Sequence, residues 1–247
     1  IIGSGRVATH LSHYFELLKL DFHKWNRNQS IPELQISLNQ STHVILAISD
    51  SAIETFKNEF LKDTRCTYVH LSGALQINGI QSAHPLMTFG RQLYNLEFYK
   101  KIPFIINQGF SFNDILPGLP NSSYALPPDK RVLYHALCVV GGNFTGFLWN
   151  EMQKNFQALG LPSDVAHLYL RQVCENFIAT GSNSLTGPIV RRDFETIHKN
   201  LLALKGTRLE KIYRSFIDSF LFDSDLFDSG LFDSGKLPEC GGFLENI

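Results

Sequence analysis

Small residues recur at a fixed spacing near the start of the chain, where Gly3, Gly5 and Ala8 follow the apolar pair Ile1-Ile2. In a strand–turn–helix unit, the first glycine permits a sharp turn and the second lets a pyrophosphate approach the backbone. The small third residue keeps the helix close to the sheet. Free N–H groups at a helix start bind phosphate. This segment predicts a dinucleotide site, with contacts from Gly3, Ser4, Gly5, Arg6, Val7 and Ala8.

The second predicted strand ends in Asn26-Arg27 rather than in a carboxylate. A site that prefers NAD places Asp or Glu about 20 residues after the glycine turn, where it accepts hydrogen bonds from the ribose. A guanidinium instead grips a 2′-phosphate with charge-assisted hydrogen bonds. Asn26 and Arg27 therefore predict NADP as the cofactor, and Ser49, after the next strand, is a further predicted contact. The alternative for Arg27 is a solvated surface side chain.

The elements that position these residues alternate along the first 126 residues. Short apolar strands alternate with segments that have helical periodicity, and this alternation favours a doubly wound sheet. The predicted strands are Ile1-Ile2, Asp21–Trp25, Val44–Ile48, Thr67–Leu71 and Pro103–Ile106. The fold class is therefore α/β, with an N-terminal Rossmann domain over residues 1–126.

Residues 127–217 follow helical spacing throughout and predict an all-helical second domain. Gly141-Gly142 permits a break, Ser163 is a predicted helix cap, and a last helix is predicted from Asp193 to Ile217. Residues 218–247 carry three Leu-Phe-Asp-Ser repeats. A period of five fits neither helix nor strand, so a disordered acidic tail is predicted, with a peptide-docking tail as the alternative.

Composition excludes several classes of partner. A net charge of −1 and a pI near 6.8 provide no basic field for nucleic acid or an anionic membrane. The four cysteines are dispersed and form no C-x-x-C pair, which argues against zinc and against a disulfide scaffold. No apolar run approaches the roughly 20 residues of a membrane span. A cytoplasmic protein without a metal is expected, and the chain is expected to begin inside its first strand, because strands typically run about five or six residues.

Two further polar segments stand out. His84-Pro85-Leu86-Met87-Thr88-Phe89 lies where the pattern predicts a loop or helix start, and Leu185-Thr186-Gly187-Pro188 leads to Arg191-Arg192-Asp193 between two predicted helices. With Tyr134-His135, Asn143 and the glycine turn, these segments resemble a two-domain family in which a Rossmann-like domain precedes the domain of unknown function 2520. The resemblance extends from Ile1 to about Tyr213. The chain departs from the family at Arg192, where a glycine is common.

The resemblance implies an NADP-binding, dimeric protein that is distantly similar to pyrroline-carboxylate reductase and to deazaflavin-dependent NADP oxidoreductases. It implies no substrate. In such folds the nicotinamide reaches the crevice at the carboxyl ends of the strands. There His84, with an ordinary pKa near 6.5, is the predicted proton donor or acceptor. The alternative is a histidine that fixes the turn before Pro85.

Four more residues complete the predicted catalytic and substrate-binding site. Thr186 and the amide of Gly187 are predicted to hold a substrate carbonyl or carboxylate, and Arg191 to pair with an anionic substrate. Asn143 is predicted to orient the reacting groups. A plain inter-helix turn is the alternative for Thr186-Gly187. His10 and His13 are expected to be solvated.

The leading hypothesis is an oxidoreductase that moves hydride between NADP and a small carbonyl, imine or hydroxy acid. The alternatives are a non-catalytic NADP-binding sensor or assembly module and an enzyme similar to prephenate dehydrogenase. The apolar stripes of the helical domain would be covered best by the same helices of a second copy, which predicts a C2 homodimer.

Overall fold

The computed structural model describes residues 1–61 and 65–220. The chain divides into two compact units, Ile1–Phe147 and a second that begins at Leu148, and each is described by itself. The Leu-Phe-Asp-Ser repeats lie outside the described residues. The first unit includes the first helix of the region that the sequence assigns to the helical domain.

The first unit contains a five-stranded sheet in the order β1-β2-β3-β4-β5. Its strands are β1 (His43–Leu46), β2 (Thr67–His70), β3 (Gln81–Pro85), β4 (Phe104–Asn107) and β5 (Ser123–Leu126). All neighbouring pairs are parallel except β3 and β4, which are antiparallel. The sheet is thus mixed and mainly parallel, as the α/β Rossmann prediction requires.

Ile2 extends the sheet beyond β1 through single parallel bridges to Trp25 and to Leu46. The predicted strands Ile1-Ile2 and Asp21–Trp25 are thus present only as these isolated bridges. From Ile2 the chain first passes to Trp25 on one side and then crosses to β1 on the other. This reversal is the topological switch point at which ligands bind in open α/β sheets.

Helices of the first unit are α1 (Arg6–Leu18), α2 (Ile31–Asn39), α3 (Asp50–Phe60), α4 (Leu96–Lys100), α5 (Phe112–Ile115) and α6 (Arg131–Cys138). They cover both faces of the sheet. Ile45 packs with the α1 residues Leu11 and Phe15, whereas its neighbours Val44 and Leu46 pack with residues of α2 and α3. This alternation along β1 is what a sheet buried on both faces requires.

Five of these helices and strands were not predicted from the sequence, namely α2, β3, α4, α5 and β5. β3 buries Ser82 and Ala83, which carry no β-branched or aromatic signal, so His84 lies in a strand and not in the predicted loop. α2 begins with a capping box. The Ser30 hydroxyl accepts a hydrogen bond from the amide of Glu33, and the Glu33 carboxylate accepts one from the amide of Ser30.

The helical part begins with a short 3-10 turn, Pro128–Lys130, followed by α6, a π-helical turn over Val139–Phe144 and α7 (Thr145–Ala158). Gly141-Gly142 therefore widens the helix without breaking it. Together these pieces form one stretch, Pro128–Ala158, that is long and apolar enough to cross a membrane by length and composition alone. This finding corrects the expectation that no stretch has that length, although a helix of a water-soluble protein can have the same properties.

The second unit continues with α8 (His167–Thr180), a 3-10 turn (Gly181–Ser184), α9 (Phe194–Leu204) and α10 (Arg208–Phe220). The predicted capping role of Ser163 is wrong, because α8 begins only at His167 after Ala166. The predicted single helix Asp193–Ile217 is two helices, separated at Gly206, whose φ of 78° lies in the left-handed region. Asp193 caps α9 by accepting from the amide of Thr196 at 3.0 Å.

Candidate functional site

A cleft of about 770 Å³ opens at the switch point of the sheet, entirely within the first unit. It collects residues from the ends of four neighbouring segments of the sheet, at Ile2, Trp25, β1 and β2. The predicted cofactor contacts that line it are Gly3, Ser4, Gly5, Arg6, Val7, Asn26, Arg27 and Ser49. Ala8, the remaining predicted contact, lies buried beneath the turn with 1% of its surface exposed. Its burial fits the close helix–sheet packing that the third small residue was predicted to allow.

Gly3 and Gly5 are glycines for different reasons. Gly3 has a φ of 132°, and a Cβ at this position would lie 2.3 Å from the carbonyl oxygen of Ala47. The chain's own packing therefore requires Gly3. A Cβ on Gly5 would meet no atom of the described residues within 4 Å, so nothing in the protein's own packing requires this glycine. An open glycine facing the cleft fits the approach of a pyrophosphate to the backbone.

The start of α1 carries backbone donors that fit an anion. Gly5 is the N-cap, and within residues 1–61 and 65–220 no side chain caps this end and its first turn holds no acidic residue. The first-turn amides of a helix have no acceptor within the helix itself. The helix dipole adds partial positive charge at the same place. The residues present therefore fit a dinucleotide pyrophosphate at this turn.

Asn26 and Arg27 occupy a tight turn at the cleft rim. The Asn26 side-chain oxygen accepts from the amide of Asn28 at 3.0 Å, and its side-chain nitrogen donates to Gln29. Asn26 thus has its polar groups engaged within the turn. Arg27 is exposed, and the part of the chain that the structure describes offers its guanidinium no hydrogen bond or salt bridge. The guanidinium of Arg27 is therefore available to bind an anion in the cleft, whereas the hydrogen bonds of Asn26 stabilise the turn that carries Arg27.

A second group of polar side chains lies beside the inner end of the cleft, at Ser72-Gly73 after β2. The β2–β3 register pairs His70 with Ser82, so the side chains of His70, Ser82 and His84 lie on the same face of the sheet. Gly73 is packed under two imidazoles: a Cβ there would lie 2.6 Å from His135 and 3.2 Å from His84. Because Ser72 also lines the cleft, His84 lies close to the space that the cofactor residues enclose.

His84 is held through one ring nitrogen. Its Nδ1 lies 2.7 Å from the hydroxyl of Tyr134 on α6, and the two rings meet edge to face. Burial, followed by the charges of His135 and Arg131, lowers the pKa of His84 to about 4, against a smaller opposing effect of Asp50. His84 is thus a neutral imidazole near neutral pH. This finding corrects the expectation of an ordinary pKa near 6.5.

Arg131 is completely buried at the start of α6, yet the described residues give its guanidinium no carboxylate partner. It donates to the carbonyl oxygens of Ile105 and Ser72, at 3.3 and 3.2 Å, and to the hydroxyl of Ser82. These acceptors are neutral dipoles and do not cancel the positive charge of Arg131. The charge therefore still acts electrostatically on neighbouring ionisable groups. Among those neighbours, burial and then Arg131 lower the pKa of His70 to about 4.

The remaining predicted site residues belong to the helical part of the chain. Asn143 is exposed in the π-helical turn, and no hydrogen bond joins it to His84 within the described chain. Thr186, Gly187 and Arg191 belong to the second unit, where Thr186 and Arg191 are exposed. Gly187 adopts a φ of 103° and Arg192 one of 54°. Arg192 therefore holds a left-handed conformation at the position where the resembling family commonly has glycine.

Arg131, Tyr134, His70 and Ser72 belong to this cluster but were not predicted as site residues from the sequence. Tyr134-His135 was noticed only as part of a motif, and Arg131 resembles an ordinary surface cation before an apolar helix. His10 was expected to be solvated, but it is buried and lies between the Tyr99 hydroxyl, at 2.8 Å, and the Gly90 carbonyl, at 3.0 Å. A charged residue within an otherwise apolar helical stripe was the one available signal for Arg131.

Similarity to solved structures defines the class of fold. The chain is similar to a candidate NADP oxidoreductase of Bacteroides fragilis, with a TM-score of 0.72 and 20% identity over 89% of this chain and 96% of that one. A protein of Thermotoga maritima gives a TM-score of 0.64 and 22% identity over 92% and 97%. Pyrroline carboxylate reductase of Plasmodium falciparum, solved with NADP bound, gives 0.56 and 11% over 89% and 96%. The fold is therefore that of Rossmann-type reductases with a helical C-terminal part.

Residues 111–219 match the family described as domain of unknown function DUF2520. The match covers the C-terminal part of the chain, and the resemblance drawn from the sequence motifs is confirmed. A search of functionally curated proteins finds no match.

Proposed function

We propose that this protein is an NADP-dependent oxidoreductase acting on a small carbonyl, imine or hydroxy-acid substrate. The observation that carries the proposal is the cleft at the switch point, where an open glycine, an uncapped helix start and an available guanidinium face the same space. This combination fits a pyrophosphate together with a second phosphate. The reductases with which the chain shares its fold support the same class of chemistry.

Preference for NADP over NAD rests on Arg27. The described residues provide no carboxylate at Asn26-Arg27-Asn28 to accept from a ribose hydroxyl or to repel a phosphate. A guanidinium that is free of other partners can donate to a 2′-phosphate without first losing an existing bond. Arg6, also on the cleft wall, adds positive charge at the helix start.

When bound, NADPH supplies a hydride to an electrophilic carbon and is itself oxidised to NADP⁺. The chain's residues would bind and orient the two reactants, with the backbone at Gly3–Val7 holding the cofactor. His84 would contact the reacting oxygen or nitrogen of the substrate. Thr186, Gly187 and Arg191 remain proposed contacts for a carbonyl or carboxylate, and Asn143 remains a proposed orienting residue.

Arg27→Ala tests the cofactor assignment. A charge-assisted hydrogen bond contributes about 1.5–3 kcal/mol, so the variant should weaken NADPH binding by roughly 10- to 100-fold and leave NADH binding unchanged. Arg91→Ala, at another exposed arginine of the same unit, is the matched control and should change neither affinity. An unaltered NADPH-to-NADH ratio in Arg27→Ala would show that Arg27 does not select the cofactor.

Enzymatic activity needs its own test. NADPH oxidation would be followed by absorbance with pyruvate and with 1-pyrroline as small carbonyl and cyclic imine probes. His84→Leu should lower turnover by at least about 10²-fold while the NADPH affinity changes little. Full NADPH binding without turnover of either probe, in a protein that folds normally, would favour a non-catalytic NADP-binding role.

We further propose that a second copy covers the apolar side of the helical stretch. At least half of the surface of Val132, Leu133, Leu137 and Val140 is exposed, as for Phe144 and Phe147. Water-soluble monomers rarely expose a contiguous patch of this kind. A second copy carries the same surface, as a C2 interface requires. The buried hydrogen bonds of Arg131 hold the start of this helix against the sheet, which favours a protein partner over a membrane.

Light scattering at about micromolar concentration tests this pairing. The wild type should be a dimer and Leu137→Glu should be a monomer. Ile36→Glu, at an exposed apolar residue of α2, should remain dimeric. A monomeric wild type that binds phosphatidylcholine vesicles would instead identify a membrane surface as the occupant. We also propose a cytoplasmic location, which is consistent with the three described cysteines forming no disulfide.

A further inference from the structure

We infer that Tyr134 fixes His84 in the tautomer that carries its hydrogen on Nε2, so that His84 donates a hydrogen bond to a substrate oxygen. Tyr134 is then a positioning residue, and the preferred ligand group is a neutral carbonyl or a carboxylate. The inference rests on the proposed reductase function for the identity of the ligand. The tautomer itself rests on the geometry of this chain alone.

The first step is the direction of the hydrogen bond between His84 Nδ1 and the Tyr134 hydroxyl, which are 2.7 Å apart. A phenol is a stronger acid than a neutral imidazole N–H, and an imidazole nitrogen is a stronger base than a phenol oxygen. The stronger arrangement is therefore O–H···N, in which Tyr134 donates and Nδ1 accepts. Burial also raises the pKa of Tyr134, so the hydroxyl keeps its proton. A neutral imidazole whose Nδ1 is an acceptor must carry its hydrogen on Nε2.

Nε2 of His84 has no competing hydrogen-bond acceptor in the described part of the chain. It lies beside Gly73, where a Cβ would come within 3.2 Å of it. Gly73 follows Ser72, which lines the cleft. The ring nitrogen that Tyr134 does not engage thus lies against Gly73, the residue that follows Ser72 of the cleft wall.

The third step is the charge around the imidazole. Arg131, Tyr134, His135 and Cys138 face this region from α6, His70 from β2 and Asp50 from α3. Burial together with the fixed charge of Arg131 opposes a second positive charge on His84, and exposed Asp50 only partly offsets it. A neutral histidine can still polarise a carbonyl through its N–H, as a neutral histidine does in triosephosphate isomerase.

This arrangement distinguishes between substrate classes. A carbonyl or carboxylate oxygen accepts from Nε2–H, whereas a protonated imine presents an N–H of its own and would oppose donor to donor. A buried donor that is left without an acceptor is unfavourable. The neutral donor therefore favours an oxygen acceptor over a protonated imine by about tenfold or more.

Nitrogen-15 NMR of histidine-labelled full-length protein tests the tautomer without any substrate. His84→Gln identifies the His84 signals among the nine histidines. The wild type should show protonated Nε2 and unprotonated Nδ1 at neutral pH. Tyr134→Phe should give a mixture of tautomers, while Tyr124→Phe, at an exposed tyrosine of β5, should leave the His84 signals unchanged. If Tyr134→Phe fails to fold, the wild-type spectrum still decides between the tautomers.

An Nδ1–H signal in the wild type, or identical tautomers in wild type and folded Tyr134→Phe, would overturn the inference. A turnover assay supplies a separate readout. His84→Gln, whose amide can donate from a similar position, should keep more activity on pyruvate than His84→Leu, and pyruvate should be preferred to 1-pyrroline. Equal losses in both variants, or the reverse preference, would contradict the donor role. Loss of all turnover with the Nε2–H tautomer intact would count against the proposed reductase and not against the positioning by Tyr134.

Discussion

Buried neutral His70 should make the first unit sensitive to acid, and His70→Leu should remove part of that sensitivity. His70 is fully buried, and both of its ring nitrogens are without a hydrogen-bond partner in the described residues. Burial and Arg131 lower its pKa to about 4, from an ordinary value of 6.5. The unfolded chain therefore binds a proton at a pH where the folded chain does not.

The sign and the size of the effect follow from this difference. Because the folded-state pKa is depressed, the stability contribution is full above about pH 6.5 and is lost as the pH falls towards about pH 4. At about pH 5, a single histidine with these two pKa values lowers the free energy of unfolding by about 2 kcal/mol relative to neutral pH. His84, whose pKa is also lowered to about 4, adds a loss of similar size.

Urea unfolding at about pH 7.5 and about pH 5 measures the effect as the change in the free energy of unfolding. His70→Leu should reduce the loss on acidification by about 2 kcal/mol, because leucine has a similar volume and cannot be protonated. His23→Leu, at an exposed histidine, controls for the replacement of a histidine by leucine and should retain the wild-type loss. An equal acid loss in wild type and His70→Leu would refute the argument that His70 is buried as a neutral group.

Two further changes test the glycine turn and the strained arginine. Gly5→Ala should leave the midpoint of urea unfolding unchanged, because a Cβ there meets no described atom within 4 Å. The same variant should weaken NADPH binding by about tenfold or more, as titration calorimetry would measure. Unchanged binding would mean that the cofactor does not approach this backbone. Arg192→Gly should raise the free energy of unfolding by about 1 kcal/mol, because the φ of 54° costs an L-residue roughly that amount. A clear loss of stability would show that the Arg192 side chain contributes more than its backbone strain removes.

The sequence could predict the parts of the fold that carry strong local signals. α1 and β1 appear where periodicity and continuous apolar residues indicate them. β3 could not be predicted, because Ser82 and Ala83 become buried through pairing with distant β2 and β4 and not through any local preference. The antiparallel pairing of β3 with β4 is likewise invisible to a pattern of alternating strands and helices.

The candidate site also contains one part that the sequence could predict and another that it could not. The turn Gly3–Ala8 was predictable because each small residue answers a local steric demand, of which the close approach of Gly3 to Ala47 is one. The ordinary pKa assigned to His84 was wrong because burial lowers it most, followed by the charges of His135 and Arg131. These two residues are near His84 in space but about fifty residues away along the chain. Burial of a guanidinium against backbone carbonyls has no signature in residue type or spacing.

The hydrogen bonds of Arg131 also bear on the order of events during folding. Its three acceptors come from three strands. The carbonyl of Ser72 follows β2, the hydroxyl of Ser82 lies in β3, and the carbonyl of Ile105 lies in β4. These acceptors converge only when the three strands have paired, and before that the guanidinium keeps its water. We expect desolvation of Arg131 to follow the pairing of these strands, so its substitution should accelerate unfolding more than it slows folding, as stopped-flow kinetics would measure. The start of α6 would be among the last parts of the first unit to dock.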